Sequence, residues 1–240
     1  MIVISAGHYG KGTGAVGFMD EVEEAIRVVQ RVTALLKQNG VKVTSIIDKT
    51  STTQRQNLAY LARAHKQANG QLDVYVHFNA TSTKQQQAIG TEVLYKNAQM
   101  KPLAAQLSEA ISTAAGLKNR GAKVRNDLYM LYTVGGVLLE VCFVNSQQDV
   151  ALYKQHFDAI CQAIANVLVQ HVGVKKPQFS SNTLQTSYEQ LTNDAVFRQQ
   201  LIAEAIARGV IQPTWQQKVS SLTELDICSI ALLILKKHVF

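Results

Sequence analysis

The 240-residue sequence has few cysteines, no long apolar run and no pattern of a secretory signal at its start, and each absence disfavours a class of protein. Its three cysteines, Cys142, Cys161 and Cys228, are far apart and odd in number, which argues against a disulfide framework and predicts free thiols in a reducing compartment. No stretch approaches the roughly 20 apolar residues of a membrane span. The N-terminus shows neither a basic flank nor a cleavage site, so we expect no membrane span and no secretory leader.

The charge is unbalanced toward basic residues, with 24 Lys and Arg against 17 Asp and Glu, and most of the excess lies in residues 1–175. A net charge of +7 favours an anionic partner, such as nucleic acid, anionic lipid or an anionic cell-wall polymer. The basic residues are scattered and no ladder of aromatic residues accompanies them, which disfavours nucleic acid.

Strand-like and helix-like segments alternate before residue 173, which predicts an α/β domain with a mostly parallel sheet. Residues 174–187 lack hydrophobic periodicity and carry Pro, Ser, Thr and Asn, which is typical of a linker. Residues 188–240 have the pattern of a small helical domain. The predicted strands are 1–6, 41–47, 72–78, 90–96, 128–132 and 137–144, and the predicted helices of the first domain are 21–38, 52–69, 99–116 and 155–171.

Helix starts are predicted from capping residues. Asp20 is the expected N-cap of the first helix, with Glu23 as its capping-box partner, and Ser51 is the expected N-cap of the second. In the tail, Asn193 or Asp194 is expected to begin a helix.

A glycine-rich loop follows the first strand, and its residues 12–17 spell GxGxxG. In a dinucleotide-binding fold that motif begins at the strand end and its last glycine lies in the helix, whereas here Gly12 comes well after the strand and the helix starts only at Asp20. A P-loop is excluded because Lys11 is followed by Gly12 rather than by Ser or Thr. The loop therefore predicts no nucleotide site, and the residue it presents is His8.

Polar residues lie where the predicted strands end, which is the edge at which α/β sheets carry their sites. His8 follows the first strand, His77 ends the third, and Glu140 interrupts the apolar run 136–144. Glu21 opens the first helix without an oppositely charged residue one turn away. Two histidines and a glutamate, with a second carboxylate as the fourth residue, form a candidate catalytic zinc set that leaves a position open for water.

Each of these residues also has a structural alternative. His8 is equally compatible with a loop histidine that bonds the backbone, and His77 with a histidine of the core. Glu140 could be a structural carboxylate paired with Arg120 or Lys123, because a buried carboxylate needs a partner or a task. The other histidines have no partner pattern and are predicted to be structural: His65, His156, His171 and His238.

Taken in chain order, the motifs resemble those of the zinc-dependent N-acetylmuramoyl-L-alanine amidases of the third amidase family, which occur in autolysins and phage endolysins. The resemblance extends over about residues 1–172. The loop 9–19 and Ala25 depart from the common family pattern without removing a ligand. The residues that carry the resemblance are AGH at 6–8, Glu21, DKTSTTQ at 48–54, VHFNA at 76–80, NRGAK at 119–123 and VLLEVCFVN at 137–145.

The resemblance implies a catalytic domain over residues 1–173, with a twisted six-stranded sheet and helices on both faces. It implies one Zn²⁺ held by His8, Glu21 and His77, and Glu140 as the catalytic carboxylate. The substrate it implies is peptidoglycan, cut at the amide bond between N-acetylmuramic acid and L-alanine. Three further residues are candidates for supporting the site or contacting substrate: Asn79, Arg120 and Lys123.

Two other functions remain open at this point: a zinc peptidase that cuts within the stem peptide, and a non-catalytic wall-binding protein. Residues 188–240 faintly resemble surface-layer-homology-like helical modules, so we expect them to contact a wall polymer or to mediate self-association. Without a secretory signal, the chain is expected to be a phage or prophage endolysin that is cytoplasmic at synthesis and acts on the wall after release.

Overall fold

The computed structural model describes residues 1–132, 135–173 and 194–239. These residues fall into two compact units, Met1–Gly173 and the described part of the segment that follows it. The predicted linker at 174–187 and the first tail residues, 188–193, lie outside the described residues.

The first unit is built on a six-stranded sheet in the order β2-β1-β3-β6-β4-β5. Four of the five neighbouring strand pairs are parallel, and β4 runs antiparallel to β6. The predicted α/β class with a mostly parallel sheet is therefore confirmed. The strands are β1 (Ile2–Ala6), β2 (Val43–Ile46), β3 (Leu72–Asn79), β4 (Thr91–Tyr95), β5 (Asn119–Val124) and β6 (Gly136–Phe143).

Helices cover both faces of this sheet. On one face, α2 inserts Leu61 into a buried cluster with Tyr75 and Leu138. Side chains of the opposite parity, such as Ile4 and Val76, are also buried, and α1, α3 and α5 pack against one another on their side. The helices are α1 (Glu21–Gln38), α2 (Gln54–Ala68), α3 (Lys101–Ala115), α4 (Gln147–Gln155) and α5 (Phe157–His171).

One predicted strand was wrong. Residues 128–132 do not form a strand, since Tyr129–Tyr132 is a short 3-10 helix that buries Met130 and Leu131 under the sheet. The missing strand is β5, which lies at the end of the sheet and pairs with β4. Its residues are exposed or half-buried, so the alternation that marks a buried strand is absent from its sequence.

Helix α4 was also missed, because its sequence QQDVALYKQ is largely polar. It begins after the N-cap Ser146 and is separated from α5 by His156.

The helix caps agree only partly with the prediction. Asp20 is the N-cap of α1 and accepts bonds from the amides of Val22 and Glu23. Glu23 does not serve as the predicted capping-box partner, because its carboxylate pairs with Lys11 at 2.8 Å. The N-cap of α2 is Thr53 rather than Ser51.

The second unit is helical, as predicted. It contains α6 (Ala195–Ala207), a 3-10 helix (Pro213–Ser221) and α7 (Glu224–Val239) around a small core that includes Ile202 and Ile230. Asp194 caps α6 with its side chain. On α7, three apolar side chains remain exposed: Leu232, Leu233 and Leu235. Among the described residues, no helix combines the length and apolar character needed to cross a membrane.

Candidate active site

The sheet brings four of the predicted site residues to one edge. His8 follows β1, and His77 lies near the end of the neighbouring strand β3. Glu140 on β6 stands directly beside His77 in the β3–β6 register. Glu21 is the first residue of α1, whose start is carried to this edge by the glycine-rich loop.

His8, Glu21 and His77 converge on one point. His77 Nδ1 lies 2.9 Å from Glu21 Oε1, and His8 Nε2 lies 3.1 Å from Glu21 Oε2. The two imidazole rings meet edge to face with their centroids 5.1 Å apart. Within the described part of the chain, this is the one group of three or more His, Cys, Asp or Glu residues that could hold a metal ion, with one ligand atom from each residue within 4.8 Å of the others.

Glu21 is prepared to act as an anion at this point. It is 3% exposed, and its two oxygens also accept the backbone amides of Phe78, at 3.1 Å, and Ala15, at 2.7 Å. Burial by itself would raise the pKa of Glu21, but the hydrogen bonds with His77 and His8 outweigh it and hold that pKa well below its usual range. Its place in the first turn of α1 also suits a negative charge.

The geometry fits a bound metal ion. Two ligand atoms bound to one tetrahedral ion at about 2.1 Å lie about 3.4 Å apart. The two pairs that include Glu21, at 2.9 and 3.1 Å, are close to this spacing. The second ring nitrogen of His77, Nε2, is buried without a hydrogen-bond partner. Two imidazoles and one carboxylate are a ligand set of catalytic zinc sites.

Two glycines, Gly7 and Gly14, are required by the packing of this cluster. A Cβ on Gly14 would lie 2.7 Å from both Glu21 Oε2 and the His8 ring, and a Cβ on Gly7 would overlap the His77 ring. The GxGxxG pattern thus includes a glycine that lets the backbone approach the three side chains closely.

Glu140 has a contrasting environment. Its Oε2 atom is buried without a hydrogen-bond partner. Burial, and then the negative charges of Glu21 and Glu92, raise the pKa of Glu140 well above its usual value. The predicted structural alternative fails for Arg120, because this side chain pairs with Glu92 through Nε at 2.7 Å.

Glu92 is a further residue of the site that was not predicted from the sequence. Its carboxylate is 7% exposed, faces Glu140 across the β4–β6 register, and binds Arg120 on one oxygen and Asn79 on the other, at 3.1 Å. Glu92 therefore connects two of the three supporting candidates, Arg120 and Asn79, although the sequence did not identify it. The available signal was an acidic residue inside the strand TEVLY, the same signal that identified Glu140.

Lys123 is not brought to the site. It is exposed on β5 and lies opposite Leu94, two positions along β4 from Glu92.

The first unit is similar to known proteins. Residues 2–170 match the family model described as N-acetylmuramoyl-L-alanine amidase. The catalytic domain of CD27L endolysin, which targets Clostridia difficile, is 25% identical with a TM-score of 0.64, and the match covers 70% of this chain and 96% of that one. The catalytic domain of CwlV, an N-acetylmuramoyl-L-alanine amidase from Bacillus (Paenibacillus) polymyxa var. colistinus, is 26% identical with a TM-score of 0.62. The match covers 72% of this chain and 98% of that one.

A longer relative is an uncharacterized protein of Clostridium perfringens, 28% identical over 201 residues, or 80% of this chain and 59% of the relative. The chain thus spans little more than half the length of this relative. Because the family model matches well over half of the chain, the protein belongs to the family of N-acetylmuramoyl-L-alanine amidases.

Proposed function

We propose that this chain hydrolyses the amide bond between N-acetylmuramic acid and L-alanine in peptidoglycan, using one Zn²⁺ held by His8, Glu21 and His77. One observation carries the proposal: a compact His-Glu-His cluster lies beside Glu140 on the adjoining strand, a half-buried carboxylate whose Oε2 atom is buried without a hydrogen-bond partner. Family membership supports the choice of substrate.

The metal and the protein have separate tasks. Zinc bound to the cluster would supply a Lewis acid that polarises the scissile carbonyl and lowers the pKa of the attacking water. Glu140 performs the proton transfers: it takes a proton from that water and returns it to the departing nitrogen. The C–N bond breaks, the lactyl carbonyl carbon keeps the hydroxyl of the water, and the stem peptide leaves with a free amino group on its L-alanine.

The remaining polar residues shape the wall of the site. Glu92, on the strand next to Glu140, binds Asn79 at the end of β3 and Arg120 on β5, and the Arg120 guanidinium lies 5.1 Å from the centre of the Phe143 ring. We assign Arg120 and Asn79 to supporting this wall, and we assign no site role to Lys123.

Product analysis tests the proposal and separates it from a zinc peptidase. Purified chain loaded with Zn²⁺ is incubated with cell walls, and the new amino termini are labelled and identified. We expect L-alanine termini and intact stem peptides. Termini from within the stem peptide would establish the peptidase instead, and wall binding without new termini would establish a non-catalytic wall-binding protein.

We further propose that residues 1–173 form the catalytic domain and that the helical tail contacts the wall. All the site residues lie in the first unit, and the exposed Leu232 and Leu235 give the tail an apolar surface of the kind that marks interaction sites. Replacing both leucines with Ser should weaken co-sedimentation with walls. A change in oligomeric state without weaker sedimentation would assign the surface to self-association.

A further inference from the structure

The backbone of His8 is held in an unusual conformation. Its φ of +63° lies in the left-handed region, and among the described non-glycine residues Asn69 alone shares this property. Asn69 caps the end of α2, where such a conformation is common, but His8 has no such reason. A non-glycine residue in this region is strained and keeps its conformation only when the surroundings enforce it.

One buried side chain binds the strained backbone directly. Asn57, which is 3% exposed in the first turn of α2, donates from Nδ2 to the His8 carbonyl at 2.9 Å. On the other side of His8, the amide of Gly7 is fixed to the carbonyl of Val76. The left-handed turn at His8 is therefore held between the sheet and α2.

Asn57 is oriented in turn by a buried carboxylate. Its Nδ2 also donates to Asp48 Oδ2 at 2.9 Å, while Asp48 Oδ1 accepts the amides of Thr50 and Ser51. Burial by itself would raise the pKa of Asp48, but these hydrogen bonds lower it to about 2 and keep the group ionised. Because a carboxylate and a carbonyl only accept, both hydrogens of Asn57 Nδ2 are committed, and its amide has one satisfactory orientation.

The far end of α2 is anchored independently of the site. His65, two turns after Asn57 on the same buried stripe, bonds Asp73 through Nδ1 at 2.8 Å and Ser5 through Nε2 at 3.0 Å. These contacts fix α2 on β1 and β3 without touching a residue of the cluster. His65 thus offers a control that separates docking of α2 from contact with His8.

We propose that Asn57 is a positioning residue for the metal ligand His8: the Asp48–Asn57 pair selects the left-handed backbone that directs the His8 imidazole toward Glu21. The inference rests on the metal site of the proposed function. It assigns to α2 a part in metal binding, although α2 contributes no ligand of its own.

The test measures the dissociation constant of Zn²⁺ alone, by competition with a chromogenic chelator at pH 7.5, and the melting temperature of the chelated full chain. Asn57→Ala should weaken Zn²⁺ binding about 10- to 100-fold, as expected when an outer partner of a ligand is lost. His65→Gln should lower the melting temperature and leave the zinc affinity within twofold of wild type.

An exchanged pair keeps the test decisive even where Asn57→Ala folds poorly. Asp48→Asn combined with Asn57→Asp preserves an amide–carboxylate bond between the two positions but turns an acceptor toward the His8 carbonyl. We expect its melting temperature to recover and its zinc affinity to remain low. Joint recovery of both quantities, or wild-type affinity in Asn57→Ala, would overturn the role of Asn57.

Equal loss of affinity in His65→Gln would also overturn it, because that result would assign the effect to helix docking. A wild-type chain that binds no Zn²⁺ would overturn the metal site itself. Failure of the positioning role and failure of the proposed function are therefore distinguishable.

Discussion

Two neighbouring parts of the same sheet edge give a carboxylate opposite environments, one that favours its ionised form and one that favours its protonated form. At the β1–β3 side, Glu21 is surrounded by two imidazoles and two backbone amides and stays ionised. At the β6–β4 side, Glu140 keeps a buried oxygen without a partner and stands next to the acidic Glu92, which favours its protonated form. The first environment suits a fixed ligand, and the second suits a group that exchanges a proton.

The largest expected effect comes from preventing metal binding at the β1–β3 side of the site. Chelated protein, or the His77→Ala variant, should release no L-alanine termini above background, because the Lewis acid is lost. Readdition of Zn²⁺ should restore the chelated wild type and leave His77→Ala inactive. Full activity in metal-free protein would contradict the assignment of a catalytic metal ion to the β1–β3 side.

The next effect comes from the β6–β4 side. Glu140→Gln should lower kcat about 10²- to 10⁴-fold, the usual contribution of general acid–base catalysis, while zinc content stays at one ion per chain. Glu204→Gln, on the exposed surface of α6, is the matched control and should keep wild-type kcat. A Glu140→Gln variant that retains both zinc and full activity would remove Glu140 from the mechanism.

A single methyl group tests how closely the loop fits the ligands. Gly14→Ala places a Cβ 2.7 Å from Glu21 Oε2 and the His8 ring, so we expect about a 10- to 100-fold loss of zinc affinity. Gly10→Ala is the control, because a Cβ there would have nothing within 4 Å. Equal affinities in the two variants would mean that the loop adapts freely to the added carbon.

The smallest effect is on stability. Because the folded-state pKa of Glu140 is raised, the folded chain keeps this proton while the unfolded chain loses it, and stability falls as pH rises above the unfolded pKa. Glu140→Gln removes this loss of unfolding free energy, which amounts to about 1.4 kcal/mol for each unit by which the pKa is raised. Its melting temperature should exceed that of wild type by a few degrees at pH 7.5 and converge with it near pH 4. A lower melting temperature at pH 7.5 would show that ionised Glu140 is stabilised in the fold.

The sequence predicted more of the candidate site than of the strand assignment in the sheet. His8, His77 and Glu140 follow or interrupt apolar strands, and parallel strands bring their carboxyl ends to one edge, so their proximity follows from local pattern and a general rule of α/β folds. Strand β5 has no such signal, because an edge strand can be polar on both sides. The apolar residues at 128–132 imitate a strand although they pack as a helical turn.

Contacts between distant parts of the chain were beyond prediction. Nothing near Asn57 in sequence indicates that it reaches His8, 49 positions away, and nothing near Glu92 indicates that it meets Arg120. Thr53 rather than Ser51 caps α2, because the Thr53 hydroxyl accepts the Gln56 amide and the Gln56 side chain accepts the Thr53 amide.

By itself, then, the sequence determined the class of fold and the chain order of the candidate ligands, because these depend on residue type and short-range spacing. The tertiary structure decided that the Glu21 carboxylate has hydrogen-bond partners on both oxygens and that Glu140 keeps a buried oxygen without a partner. That difference arises from side chains and amides contributed by separate strands and helices, whose distances exist only once the sheet has formed.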